Sequence, residues 1–155
     1  MTNATEQLVV PRRSFAFKSG LHWLEGRSAF VRADGCLGFK VTPPPEFRGD
    51  PGSWSPELLF VAAVDSCLML TFAGLAQKEG LRFAGYTSSA EGTLEWIDYS
   101  YRFTRVTLRP AIAVTNEMDL PLARRVLERA HAACLVSNSL RTEVEIEPVF
   151  SLVAR

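Results

Sequence analysis

The 155-residue chain has no surplus of charge of either sign, with seventeen Lys and Arg against seventeen Asp and Glu. It also has no clustered basic stripe with interleaved aromatics. Arg12 and Arg13 alone do not make a patch, so nucleic acid is not the natural partner. The opening residues, MTNATEQLVVPRRSF, lack the charged start and apolar run of a secretory signal, and a cytoplasmic protein is expected. Without export, the glycosylation acceptor Asn3-Ala4-Thr5 reads as chance. Cysteine is scarce at three residues. An odd number in a reducing compartment argues against a disulfide framework and leaves buried apolar thiols, metal ligands or redox thiols open. Repeats and low-complexity segments are absent, and so is a phosphate cradle, because Gly49 and Gly52 neither follow a clear strand nor match a phosphate-loop spacing. His131 lies three residues before Cys134, but the further ligands of a second motif are missing. No metal or other cofactor is expected.

What is present is apolar: 47% of the chain is hydrophobic, enough for one domain over 1–155 with a sizeable core. SFAFK (14–18), HWLEGRSAFVRA (22–33) and CLGFKV (36–41) read as strands of an antiparallel meander, with a turn at Asp34-Gly35. Cys36 follows that turn and is given no role. Residues 42–54, TPPPEFRGDPGSW, are too rich in proline and glycine to continue a sheet. A connection of that length, holding Phe47 and Trp54, is often functional.

Ser55 is placed as a helix N-cap, Pro56 as the first helical residue and Gly80 as the stop. The helix between them has about 24 residues and a length of about 36 Å. Residues 58–64, LLFVAAV, leave no polar face in its first half, the mark of a helix buried on all sides. A membrane span is the competing reading, opposed by Asp65 near mid-helix and by the capping signals. One chain of this size can hardly cover such a helix, which points to a dimer. Residues 81–116 return to strand patterning as a hairpin or meander. A second helix opens at Asp119 or Leu120 with Pro121, and Ala123, Leu127, Ala130 and Cys134 share one face of it. TEVEIEPVF (142–150) is a final strand.

Cys67 and Cys134 thus both lie on apolar helical faces, as two inert hydrophobes or as the two ends of one disulfide. A reactive Cys67 would need its thiolate stabilised. It lies some three turns into its helix, gains little from the dipole, and is therefore expected to need a cation. Arg27, read as a strand residue, and Glu57 as its orienting carboxylate are the candidates. The plain alternative is a solvated arginine and a helix-dipole partner.

SPELLFVAAVDSCLMLTF (55–72) resembles the segment leading to the peroxidatic cysteine of the OsmC/Ohr family, the osmotically inducible and organic hydroperoxide resistance proteins. AACLVSNSL (132–140) resembles that family's second-cysteine segment, and WLEGR (23–27) its early arginine-bearing strand. The order of elements matches from about residue 14 to 152, closest to the OsmC-like branch. The resemblance implies an α+β fold, with antiparallel sheets packed around a long buried central helix and a second helix in an intertwined homodimer. It implies a peroxidase in which Cys67 becomes a sulfenic acid, Cys134 condenses with it, and an external dithiol, typically lipoyl, restores both. Arg27 would hold the Cys67 thiolate and Glu57 would orient Arg27. Phe47, Trp54, Phe60 and Leu68 are candidate walls of an apolar pocket for an alkyl hydroperoxide, with core packing as the plain alternative for each. Two residues depart from the hydroperoxidase branch: Leu135, where proline is common, and Asp65, where small or aromatic residues are usual.

Geometry adds two expectations. Glu57 and Cys67 are separated by about 15 Å of helical rise, so a shared site takes Glu57 from the other subunit. Asp65, about 200° around the helix from Cys67, is a partner for another polar group or a dimer contact. The rival function is a noncatalytic dimeric module that binds a ligand or reports oxidation through the same cysteine pair.

Overall fold

The computed structural model describes residues 13–154, so the Asn3-Ala4-Thr5 acceptor and Arg12 lie outside it. Three short strands, β1 (Gly20–Trp23), β2 (Ala29–Arg32) and β3 (Phe39–Val41), form the expected antiparallel meander. Gly35 makes its second turn at φ 76°, a conformation that costs glycine little. Two details differ from expectation. Residues 14–18 join no strand. The single strand read over 22–33 is broken at Gly26, whose φ of 51° reverses the chain so that Trp23 pairs with Ala29. Arg27 therefore stands in a turn and not on a strand.

The proline-rich connection is tied at its ends by the Thr42 N–H donating to the Trp54 carbonyl at 3.0 Å. Helix α1 (Pro56–Glu79) follows with the expected limits. The Ser55 hydroxyl accepts from the Leu58 N–H at 3.2 Å, and Pro56 gives up no hydrogen bond in the first turn. At the other end Gly80 adopts φ 73°, and the N–H groups of Gly80 and Leu81 return to the carbonyls of Gln77 and Ala76. This left-handed cap stops the helix.

Strands β4 (Phe83–Ile97) and β5 (Ser100–Val114) form one long hairpin. It turns at Asp98 and Tyr99, whose φ values of 48° and 63° give the primed geometry that suits the strand twist. Helix α2 (Leu120–Ala133) comes next, then β6 (Glu143–Ile146) and β7 (Val149–Leu152). The last two lie end to end along β5 and parallel to it. The single final strand expected over 142–150 is interrupted at Glu147 and Pro148, because proline has no N–H to give the ladder.

The core forms where one face of α1, carrying Val64, Leu68, Phe72 and Ala76 at four-residue intervals, meets Ala123, Val126, Leu127 and Ala130 of α2 and Val106, Leu108, Ile112 and Val114 of β5. Each large side chain so buried contributes about 1.5–3 kcal/mol. The rest of α1 is not covered within one protomer. Leu58 and Leu70 are 51% and 67% exposed, and Leu21, Trp23, Phe30 and Trp54 also stand open. By length and composition α1, alone among the described residues, passes as a membrane span, yet its buried face is the centre of this core.

Asp65 finds its polar partner across the helix–sheet boundary: the Ser88 hydroxyl donates to Asp65 Oδ2 at 2.8 Å. Asp65 Oδ1 and the Tyr86 hydroxyl are buried without a hydrogen-bond partner among the described residues. Burial, and then the charge of Asp65, push the Tyr86 phenol up to about 12. Tyr86→Phe deletes an unsatisfied buried hydroxyl and is expected to be neutral or up to about 1 kcal/mol stabilising at pH 7 in urea titrations. Above pH ~10 an unfolded tyrosine ionises while the native one stays neutral, so that part of stability is lost as pH rises toward 12. The variant should therefore keep more of its neutral-pH stability than the wild type in that window; an equal loss in both would separate Tyr86 from alkaline unfolding.

Candidate active site

Cys67 projects from the middle of α1 toward the C-terminal end of α2, where Cys134 sits one residue past the last helical residue, fully buried. The two thiols are within hydrogen-bonding reach of each other in the same protomer. Their environments push them in opposite directions. Burial opposes ionisation of Cys67, but the Val136 N–H, the Cys134 thiol, the Thr71 hydroxyl and the Leu135 N–H outweigh it and hold Cys67 below the ordinary thiol range. Burial raises Cys134; hydrogen bonds from the Ser137 hydroxyl and N–H oppose it, and the neighbouring Cys67 raises Cys134 further. One thiol is thus biased toward thiolate and the other toward the protonated form, a division of roles that sulfur chemistry can use.

No cation reaches Cys67 among the described residues of one protomer, but other donors do. Donors on the turn after α2, together with Thr71 one turn along α1, stabilise Cys67 within one protomer. The single Thr71 hydroxyl proton is shared between the Cys67 sulfur and the Cys67 carbonyl at 2.7 Å. Two hydrogen bonds tie the turn back to α2: the Asn138 N–H reaches the Cys134 carbonyl at 3.0 Å, and the Asn138 side chain reaches the Ala132 carbonyl at 2.9 Å. The sequence reading missed Thr71, Val136 and Ser137. The spacings Cys67–Thr71 and Cys134–Ser137, four and three residues, were the available signals. The amides of residues 135 and 136 left no side-chain signal at all.

Leu135 takes on a meaning through the same contact, since a proline there has no N–H to offer Cys67. Cys134 is extended, at φ −65° and ψ 112°, as a residue before proline must be, and the Leu135 side chain is 77% exposed. Leu135→Pro is expected to fold but to move the pH profile of Cys67 alkylation to higher pH. An unmoved profile would remove the Leu135 amide from the site.

Arg27 and Glu57 are also brought together, but elsewhere. Both line a cleft between the β1–β2 turn and the first turn of α1. The Arg27 guanidinium donates to the Phe47 carbonyl at 2.8 Å, and Glu57 Oε2 is buried with no hydrogen-bond partner among the described residues. Ten residues of α1 separate Glu57 from Cys67, about 15 Å of rise. A neighbouring cleft of about 510 Å³, lined by Phe47, Glu57, Leu58, Val61, Tyr101 and Phe103 among others, is mostly apolar. Phe47 lines both clefts. Phe60 stacks on Phe103 with centroids 4.5 Å apart and faces a third cleft beside Arg102 and Arg141. Trp54 leans on Phe39 at 6.4 Å. Leu68, wholly buried in the core, has no surface left to wall a pocket.

The fold and the site define the class, an α+β protein whose long central helix presents a cysteine to a second cysteine at the end of the next helix. A family model described as OsmC-like protein matches residues 49–149, and the chain belongs to that family. It is similar to an uncharacterized protein of Bacillus subtilis (strain 168), YmaD, at 21% identity over 110 residues, 69% of this chain and 73% of that one. Among solved structures, an OsmC-like protein of unknown function from Vibrio cholerae superimposes with a TM-score of 0.79 at 25% identity, over 88% of this chain and 100% of the other. An organic hydroperoxide resistance protein from Legionella pneumophila gives 0.71 at 23% identity, over 91% and 100%.

Proposed function

We propose that this protein is a thiol-dependent peroxidase that reduces organic hydroperoxides. The observation that carries the reading is the pair of facing thiols with opposite bias, Cys67 toward thiolate and Cys134 toward thiol. The Cys67 thiolate attacks one peroxide oxygen, the O–O bond breaks, and the alkoxide leaves as alcohol after taking a proton; Cys67 is now a sulfenic acid. The Cys134 sulfur attacks Cys67, the S–O bond breaks, and water leaves. An external dithiol, with a lipoyl group the natural class, then reduces the disulfide by exchange.

The active unit is a homodimer. Uncovered apolar side chains on α1 and on the β1–β3 sheet supply a surface that water disfavours, and a buried Glu57 oxygen without a partner among the described residues is costly. Both are relieved if a second copy packs on α1 and places its own Arg27 and Glu57 beside Cys67. The mostly apolar cleft next to Glu57 suits the alkyl part of the substrate.

The test is steady-state consumption of an alkyl hydroperoxide against hydrogen peroxide, with dihydrolipoamide or dithiothreitol as reductant. Cycling that favours the alkyl peroxide supports the reading; absence of turnover moves it to a binding or sensing module. The shared site is tested by mixing subunits. Cys67→Ser and Glu57→Gln homodimers should each be impaired, while randomly exchanged mixtures should regain about a quarter of wild-type activity, because each mixed dimer holds one intact site. No recovery would place Glu57 and Cys67 of one site in the same chain.

A further inference from the structure

The Cys134 sulfur is held by a residue that none of the peroxide chemistry above uses. The Ser137 hydroxyl donates to Cys134 Sγ at 3.2 Å, and the Ser137 N–H is directed to the same sulfur. Ser137 opens a short 3-10 turn, Ser137–Ser139, that is closed by the Leu140 N–H returning to the Ser137 carbonyl at 3.1 Å. Its backbone is thus held within the turn, and its side chain is partly buried beside the thiol it contacts. We propose that Ser137 is a positioning residue for the resolving thiol, gripping the Cys134 sulfur by two donors and holding it in place to attack Cys67 once Cys67 has been oxidised. The assignment rests on the peroxidase reading for its function and on the 3.2 Å contact for its geometry.

The timing follows from which influences persist. While Cys67 is a thiolate, burial and the adjacent Cys67 keep Cys134 protonated against the pull of Ser137. Reaction with a hydroperoxide turns Cys67 into a neutral sulfenic acid, and the charge that opposed a Cys134 thiolate disappears. The two Ser137 donors remain and stabilise the developing negative sulfur as it gives up its proton. The Cys134 thiolate then attacks the Cys67 sulfur, the S–S bond forms, the S–O bond breaks, and the departing hydroxide recovers the proton as water. Without Ser137 the sulfenic acid waits longer, exposed to a second peroxide that would carry it to sulfinic acid.

Single-turnover mixing with tert-butyl hydroperoxide separates the two steps in wild type, Ser137→Ala and Ser137→Thr. In Ser137→Ala the ratio of the disulfide-forming rate to the sulfenic-acid-forming rate should fall about tenfold, the effect of one hydrogen bond to a charged sulfur. The pH profile of the second step should move to higher pH, and sulfinic acid should accumulate under excess peroxide. Ser137→Thr keeps the hydroxyl and should restore all three. An unchanged ratio and profile in Ser137→Ala, or a Ser137→Thr protein as slow as Ser137→Ala, overturns the proposal.

A readout free of peroxide keeps this test apart from the peroxidase reading. In a Cys36→Ser background, iodoacetamide alkylation of Cys134 followed against pH should shift to lower pH when Cys67→Ala removes the neighbouring sulfur. It should shift back up when Ser137→Ala is added. If these shifts occur in a protein that does not consume peroxide, the grip on Cys134 stands and the peroxidase reading falls; if the profiles coincide, the grip falls whatever the activity.

Discussion

Cys67→Ser is expected to abolish turnover of an alkyl hydroperoxide, a loss of at least about a thousandfold, because in the proposed mechanism the Cys67 thiolate is the group that breaks the O–O bond. A serine hydroxyl is far weaker in acid strength than a thiol, and the amides of Leu135 and Val136 with the Thr71 hydroxyl, which lower the Cys67 thiol, cannot ionise it. The pH dependence of the wild type follows from the same contacts. Since the reactive form is the thiolate and Cys67 is held below the ordinary thiol range, activity should persist below that range and decline only as pH falls through the lowered value. Cys134→Ser should differ in kind: one turnover to a sulfenic acid that a dimedone-type reagent traps, with no disulfide on a non-reducing gel. Peroxide consumption that survives Cys67→Ser would assign the chemistry to another residue.

Phe72→Ala should cost about 3–5 kcal/mol of stability, the usual loss when a buried phenyl ring is removed from a core that cannot collapse. Phe72 is completely buried on the core-facing side of α1. Its ring meets Phe83 edge-on at 5.2 Å and Tyr86 at 5.5 Å, so the helix and β4 are joined through it. Against a typical total of about 5–15 kcal/mol the variant would be marginal, with a melting temperature lower by something on the order of 10 °C. Urea titration followed by circular dichroism measures this, and a loss below about 1 kcal/mol would show that the helix–sheet contact does not centre on this ring. Phe72 lies five residues from Cys67 on α1, so the same loss should loosen the frame that presents the thiol.

The limits of α1 were legible because each is set locally: Ser55 caps with its own hydroxyl, Pro56 is preset for a first turn, and Gly80, lacking a Cβ, takes φ 73° without strain. The hairpin and the second helix followed from alternation and from the face shared by Ala123, Leu127 and Ala130. Strand limits were less legible. A residue's alternation does not say whether its neighbour pairs within the same strand or reverses, so the break at Gly26 and the parallel pairing of β6 and β7 with β5 emerged only in space.

The site divides along the same line. The residues alone named the candidate sulfur, cation and carboxylate side chains, Cys67, Cys134, Arg27 and Glu57, and set Glu57 about 15 Å of helical rise from the Cys67 of its own chain. Tertiary structure alone decided that Cys67 meets Cys134 within the protomer, that Leu68 is spent on the core, and that the groups polarising Cys67 are the Leu135 and Val136 amides with Thr71. The physical reason is that every residue carries a backbone amide, so its presence carries no sequence signal, and only the path of the chain determines which sulfur that amide faces.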